Sequence, residues 1–313
     1  MNHRILPIVI LILFYAFAIN AQEVQLETAT GTLYGTLLIP ENTSPEMLVL
    51  LHAGSGPTDR DGNQAFIKNN SLKLLAEALA ENGIASLRYD KRGIAASSAA
   101  MTSEETLLFE DYVHDLRAWI EKMSREYMFK SLIVAGHSEG ALIGLLACKD
   151  NPLVSRYISI AGPGRPANEL LLTQLKDQGP GVAEMVAPYI NELKQGNTID
   201  TIPVSLSALF RPSVQPYLIS WFRYTPAEEI KNLTIPILIL QGDKDIQVAV
   251  SEAEMLHNAA PDSRLVVIKN MNHVLKKIKT TDKKEQLKNY GQPNIPLHKK
   301  LTKAIIRFLP ESQ

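Results

Sequence analysis

Cysteine is almost missing from this chain. Cys148 is the only one in 313 residues, which excludes an internal disulfide and leaves stability to the packed core. An excess of charge is missing too. Lys and Arg number 32 against 33 Asp and Glu, a formal net charge of −1, so neither nucleic acid nor an anionic membrane is expected as a partner. The one basic run, Lys276, Lys277, Lys279, Lys283 and Lys284, reads as a solvated loop and helix face, not as a binding patch. Internal repeats are absent.

An apolar run long enough to span a bilayer is also lacking. The one approach to it, Ile5 to Ile19, follows His3 and Arg4, is interrupted by Pro7 and gives way to Asn20-Ala21-Gln22. A short basic start, an apolar stretch below about 18 residues and small residues after it predict a secretory signal over residues 1–21. Cleavage is expected after Ala21, with Ala18 the second choice. The mature protein is then exported, periplasmic or extracellular, and not held at the membrane. No cysteine stands near that site to be acylated.

What remains has the composition of a globular protein, 45% hydrophobic and 21% charged, with length for one large domain or two ordinary ones. Strand-like and helix-like segments alternate through most of it. Val24 to Leu26 and Gly31 to Ile39 read as a hairpin, and Leu48 to His52, Ile84 to Tyr89, Ser131 to Ala135, Arg156 to Ala161, Ile235 to Gln241 and Arg264 to Ile268 as further strands. Helices are expected over Ser71 to Glu81, Glu110 to Met128, Gly140 to Cys148, Val250 to Asn258 and His298 to Phe308. Apolar strands between helices predict an α/β fold, a parallel sheet covered on both faces. The stretch 163–226 breaks the alternation with short helical patterns separated by Pro and Gly. It is read as a helical cap inserted in a core made of 22–162 and 227–313.

Gly136-His137-Ser138-Glu139-Gly140 joins the strand Ser131 to Ala135 to the apolar helix that follows. A Gly-x-Ser-x-Gly string arises by chance in a chain of this length with probability on the order of 0.1. The strand–turn–helix setting gives it meaning, because a sharp turn there lifts a serine hydroxyl to a helix N-terminus. An ordinary serine N-cap is the alternative. A nucleophilic serine needs a histidine base and a carboxylate to orient it, in the order serine, acid, histidine on later loops. Asp245 in "GDKD" and His273 in "NMNH" stand in that order after the last two strands. Asp243 competes as the acid, and its ordinary reading is turn chemistry. The backbone N–H of Glu139 is one expected oxyanion donor. The loop "HAGSGP" supplies the other through Gly54 or Ser55, with Ser55 preferred. His52 reads as structural, since no acid is expected beside it.

With these residues in place the chain resembles the α/β-hydrolase superfamily over roughly residues 24–310, on "GHSEG", "GDKD", "NMNH" and "YDKRG". "GSGPTDRDGN" and the later "YGQPNIPL" are similar to a bacterial esterase branch grouped with serine-aminopeptidase-like hydrolases. The resemblance implies an eight-stranded, mostly parallel sheet and a carboxylic-ester hydrolase acting on a small-molecule, glycan or lipid ester. It departs from the family at the oxyanion loop, where the usual His-Gly is His52-Ala53 or is replaced in register by Ala53-Gly54. A peptidase or amidase of the same fold is the alternative, with Glu139, Glu169, Glu184 or Glu192 as candidate anchors for a substrate amine; a non-catalytic binding module is the third reading. No cofactor and no metal are expected: "DRDGN" at Asp59 to Asn63 lacks calcium-loop spacing and reads as a salt-bridged turn. Arg60 and Asp61 are candidates for the substrate mouth, and Trp221, Phe222 and Tyr224 for cap packing or a pocket wall. Cys148 reads as a buried, inert thiol.

Overall fold

The computed structural model describes residues 19–41, 45–176 and 179–309. Most of the predicted signal, 1–18, lies outside them; Ile19 to Ala21 form the start of the first strand.

Strands β1 (Ile19–Thr28) and β2 (Gly31–Pro40) form an antiparallel hairpin in which every residue of β1 has a partner. Strands and helices then alternate: β3 (Met47–His52), α1 (Ser71–Ala80), β4 (Ala85–Tyr89), α2 (Phe109–Tyr127), β5 (Ser131–His137), α3 (Glu139–Cys148) and β6 (Val154–Ile160). Between β6 and β7 (Ile237–Gly242) come α4 (Ala167–Lys176), α5 (Val182–Lys194), α6 (Ser207–Phe210), α7 (Gln215–Trp221) and α8 (Pro226–Glu229), with no strand among the described residues. The chain continues through α9 (Val250–Ala259), β8 (Arg264–Ile268), α10 (Lys283–Tyr290) and α11 (Lys299–Ile306). The strands make one eight-stranded sheet in the order β1-β2-β4-β3-β5-β6-β7-β8. The pairs from β4 to β8 are parallel.

The period-two alternation of strand side chains explains the layering. Leu48 and Leu50 face a core with Leu116, Trp119 and Ile143, so α2 and α3 cover that side. Val49 and Leu51 face the opposite core with Leu75, Leu301 and Ile305, which puts α1 and α11 there. All of β3 is buried, as a central parallel strand requires. Each buried Leu or Ile contributes about 1.5–3 kcal/mol relative to exposure. Helix α3 is buried on every side. Gly144 lets it sit against the sheet, since a Cβ there would lie 3.1 Å from Val134 and 3.3 Å from Tyr157. Helix α1 ends where Asn82-Gly83 predicted: Gly83 takes φ 74° and donates its N–H to Ala80 O at 3.0 Å.

Three expectations change. β7 starts at Ile237 instead of Ile235, because Pro236 has no N–H for the ladder, although its carbonyl still accepts from Tyr157 N at 3.0 Å. Helix α10 was not foreseen as an element of its own. Its signal was the sequence Asp282-Lys283-Lys284-Glu285, in which the Asp282 side chain caps Glu285 N at 2.9 Å. Lys276 is not solvated as the basic run suggested. It is fully buried, and its ammonium donates to Gln292 O, while Lys277, Lys279, Lys283 and Lys284 are exposed.

Candidate functional site

The strand order reverses direction at β3, whose neighbours are β4 and β5, and the carboxyl ends of parallel strands at such a switch point form a crevice. The candidate residues gather there. Ser138 links β5 directly to α3, with φ 56° and ψ −123°. A non-glycine residue at such angles stores about 1–3 kcal/mol of strain and persists only where its surroundings over-determine it. Ser138 N–H donates to Ile160 O at 2.9 Å and Ser138 O accepts from Ala141 N at 2.9 Å. The flanking glycines leave no alternative: a Cβ on Gly136 would lie 2.0 Å from Gly140 O, and one on Gly140 2.4 Å from Ala53 O. The hydroxyl therefore stands at the N-terminus of an apolar helix, where unpaired N–H groups favour negative charge.

His273, on the loop after β8, shares a cavity with Ser138. Its Nδ1 lies 2.7 Å from Asp245 Oδ2, on the loop after β7. The Asp245 side chain is fully buried. Its Oδ1 accepts the backbone N–H groups of Gln247 and Val248 at 2.8 and 2.9 Å, and its Oδ2 also accepts Gln241 Nε2 at 3.1 Å. Burial by itself raises the Asp245 pKa, but His273 and the two N–H donors outweigh it and hold the carboxyl below its ordinary value. Asp243, the competing acid, is engaged elsewhere, accepting the N–H of Asn270, which has φ 63°. It shapes the turn after β8. His137 was not singled out by sequence. Burial, then the neighbouring His273, drives its pKa to about 3, so it is neutral and donates Nε2–H to His273 O at 2.9 Å.

The loop after β3 passes in front of α3. A Cβ on Gly54 would lie 3.2 Å from Ser138 Cβ, so this backbone runs beside the serine. His52 is buried, and its Nδ1–H donates to Ala53 O at 2.8 Å. Burial, then the charge of Lys91, lowers its pKa to about 3, in keeping with a structural group. Lys91, in "YDKRG", is itself buried beneath this loop. The motif shows in the sequence but the enclosure of the lysine does not, because a charged residue after a strand gives no sign of being enclosed.

Two cavities meet at Ser138. One, of about 190 Å³, holds His273 together with Thr58, Gln64, Asn69 and Tyr290. The other, of about 510 Å³, runs under the helices between β6 and β7 and is lined by Leu170, Leu175, Phe210, Leu218 and Trp221. Ser55, Ser138 and Gln247 border both, and Glu139 borders the second. Of the aromatic candidates, Trp221 lines the apolar cavity and stacks on Phe109 at 5.9 Å. Phe222 is buried in the core, and Tyr224 donates its hydroxyl to Glu110 at 2.8 Å; neither lines either of these two cavities.

Arg60 and Asp61 do not stand at the mouth. The Arg60 guanidinium turns back onto Asp90 and Glu23, 2.9 and 2.8 Å away, and Asp61 pairs with Arg88 at 2.8 Å. Asp59 Oδ1 accepts the N–H groups of Asp61 and Asn63 at 2.9 and 2.8 Å, so "DRDGN" is a salt-bridged turn. Glu169, Glu184 and Glu192 are exposed and line neither cavity. Cys148 is buried, and that burial pushes its thiol pKa well up.

Residues 69–209 match the family model described as serine aminopeptidase, S33. Esterase EstD of Thermotoga maritima is 30% identical over 249 residues, 77% of this chain and 57% of that protein. The chain thus spans little more than half the length of this curated relative. Among solved structures, Est1E of Butyrivibrio proteoclasticus with ferulic acid bound superposes with a TM-score of 0.61, at 16% identity over 91% of this chain and 98% of that one. An esterase of Pyrococcus furiosus gives a TM-score of 0.60, at 16% identity over 94% and 93%. At such identity the likeness speaks for architecture alone, and the architecture is that of the α/β-hydrolases.

Proposed function

We propose that this chain is a serine hydrolase that cleaves carboxylic esters through an acyl-enzyme. Ser138 attacks the ester carbonyl, His273 takes the hydroxyl proton, and Asp245 holds the imidazole and stabilises its charged form. Backbone N–H groups of Glu139 and of the Gly54–Ser55 loop receive the oxyanion. His273 then returns the proton to the leaving alcohol, and water releases the acid. The observation that carries the reading is Ser138, strained at φ 56° at the head of α3, in one cavity with a histidine paired to a buried carboxylate at 2.7 Å.

The two cavities divide the substrate. A leaving group must lie on the side of the acid that protonates it. His273 borders the smaller cavity alone, so the alcohol takes the side of Thr58, Gln64 and Asn69, and the acyl group takes the leucine-lined one. The substrate class is an ester of an apolar acid with a small polar alcohol. The peptidase reading draws support from the family-model match and from Glu139, the one candidate anchor beside the apolar cavity. Lys91 stands 3.9 Å from that carboxylate and already matches its charge, which favours the ester. Export is part of the proposal. Cleavage after Ala18 would leave β1 whole, whereas cleavage after Ala21 would remove its first three partners of β2; Ala18 is therefore preferred.

The test is steady-state turnover of p-nitrophenyl esters and aminoacyl anilides by the wild type and Ser138→Ala, with fluorophosphonate labelling. Ester turnover and labelling that vanish together in the variant support the reading. Retained turnover in Ser138→Ala, or a preference for anilides, overturns it.

A further inference from the structure

The loop beside Ser138 owes its shape to one buried cation. Lys91 Nζ donates to Gly54 O at 2.5 Å and to Gly56 O at 3.0 Å, the carbonyls on either side of Ser55. The intervening carbonyl, Ser55 O, accepts the Thr58 hydroxyl at 2.8 Å, and Gly56 O also accepts Thr58 N at 2.8 Å. Three successive carbonyls are thus held. The N–H groups of Gly54 and Ser55 find no acceptor among the described residues. No peptide in the described chain is cis, and in a planar trans peptide the N–H points opposite to the C=O. Fixing Gly54 O on the Lys91 side therefore turns the Ser55 N–H the other way, and Ser55 borders both cavities that meet at Ser138. His52 does the same for the preceding peptide through Ala53 O.

The second oxyanion donor is tied to the same cation. The Glu139 carboxylate lies 3.9 Å from Lys91 Nζ, and both side chains are buried. The ring of Tyr112 lies 5.2 Å below the ammonium. One ammonium thereby links the loop that carries Gly54 and Ser55 to the first residue of α3.

We propose that Lys91 is a positioning residue of the oxyanion hole, locking the Gly54–Ser55–Gly56 backbone and the Glu139 end of α3 into one donor array. The proposal rests on the esterase reading above. Burial pulls the Lys91 pKa down and Glu139 pushes it back up, so the neighbouring carboxylate helps the buried amine keep the proton that its donor role uses. A buried ion pair is weak evidence for stability and is better attested as a device that fixes a register, here the register of a loop against a helix.

The experiment compares Lys91→Met with the double variant Lys91→Met/Glu139→Gln, which leaves no unpaired buried charge and so guards against loss of the fold. Each is assayed on the p-nitrophenyl ester that the wild type turns over best, and with a trifluoromethyl ketone, whose hemiketal oxyanion occupies the donor array. Loss of a whole oxyanion donor costs about 100- to 1000-fold in kcat. Misalignment is expected to cost about 10- to 100-fold, with KM within about twofold and the ketone weakened by the same factor as kcat. Lys91→Arg restores most of the rate, because the cavity of about 220 Å³ beside Lys91 gives a larger cation room. A double variant that keeps wild-type kcat and ketone affinity overturns the proposal. So does a loss of rate that falls on KM alone, or one that tracks melting temperature with the ketone unaffected. If the wild type turns over no ester at all, the esterase reading fails first.

Discussion

Asp245 Oδ2 lies 2.7 Å from His273 Nδ1, while Oδ1 of the same carboxylate accepts two backbone N–H groups. The acid is thus held by the loop after β7 independently of the histidine it faces. Asp245→Asn is expected to keep the fold and lower kcat by about 10³- to 10⁴-fold, since an amide can hold the wrong imidazole tautomer. The same carboxylate leaves a mark on stability. Its folded pKa lies below the ordinary value, so its contribution is present above about pH 3.9 and is lost as pH falls through the folded pKa. Denaturant midpoints between pH 2 and 6 should fall more steeply on the acid side for the wild type than for Asp245→Asn. Parallel curves would count against that pairing.

Gly140→Ala tests the close approach of the loop after β3 to α3, and with it the proposed oxyanion role of that loop. The new Cβ would meet Ala53 O at 2.4 Å and His52 O at 2.7 Å, both backbone atoms that cannot swing aside. The expected cost in stability is about 1–3 kcal/mol. Displacing the loop by about 1 Å is expected to lower kcat about 100-fold. Unfolding by denaturant and kcat on a short-chain ester check the two effects. A variant with wild-type kcat would mean that the loop shifts without carrying a donor with it.

What could be read in the sequence was set by local chemistry. Ser138, Asp245 and His273 stand out in the sequence as candidates because each follows a strand, and strand ends show in the apolar pattern. Gly136 and Gly140 were legible because a tight turn excludes side chains. The unread features are contacts between residues distant in the chain. Arg60 reads as a candidate for the mouth because it follows "HAGSGP", yet it is held by Glu23 and Asp90, partners that only the fold brings near. Lys91 is silent in the sequence for the same reason, since nothing in "YDKRG" reveals that Glu139 and the Gly54 carbonyl close over it.

The apolar cavity gives a prediction on chain length. Leu171 borders it and is half-buried, so Leu171→Trp adds a wall without disturbing the sheet. Turnover of an octanoyl ester is expected to fall about 10-fold or more in kcat/KM, with a butanoyl ester within about twofold. A matched series of p-nitrophenyl esters reads the shift. Equal losses at both lengths would move the acyl group out of this cavity.

Lys276 carries a prediction at alkaline pH. It is fully buried, three residues after His273, and donates to Gln292 O, tying the histidine loop to the segment after α10. Burial lowers its pKa from 10.5 to about 8. Below pH 8 both folded and unfolded chains carry the charge, so the folded state bears the cost of burying it. Between pH 8 and about 10.5 the unfolded chain binds the extra proton, and stability rises with pH through that window. Lys276→Met lacks this rise. The wild type should therefore gain on the variant by about 1–3 kcal/mol between pH 7.5 and 10.5, read as the difference in unfolding free energy at unchanged m. A difference that stays flat across the window would mean that water reaches the amine and lets it hold its proton as readily in the folded state as in the unfolded one.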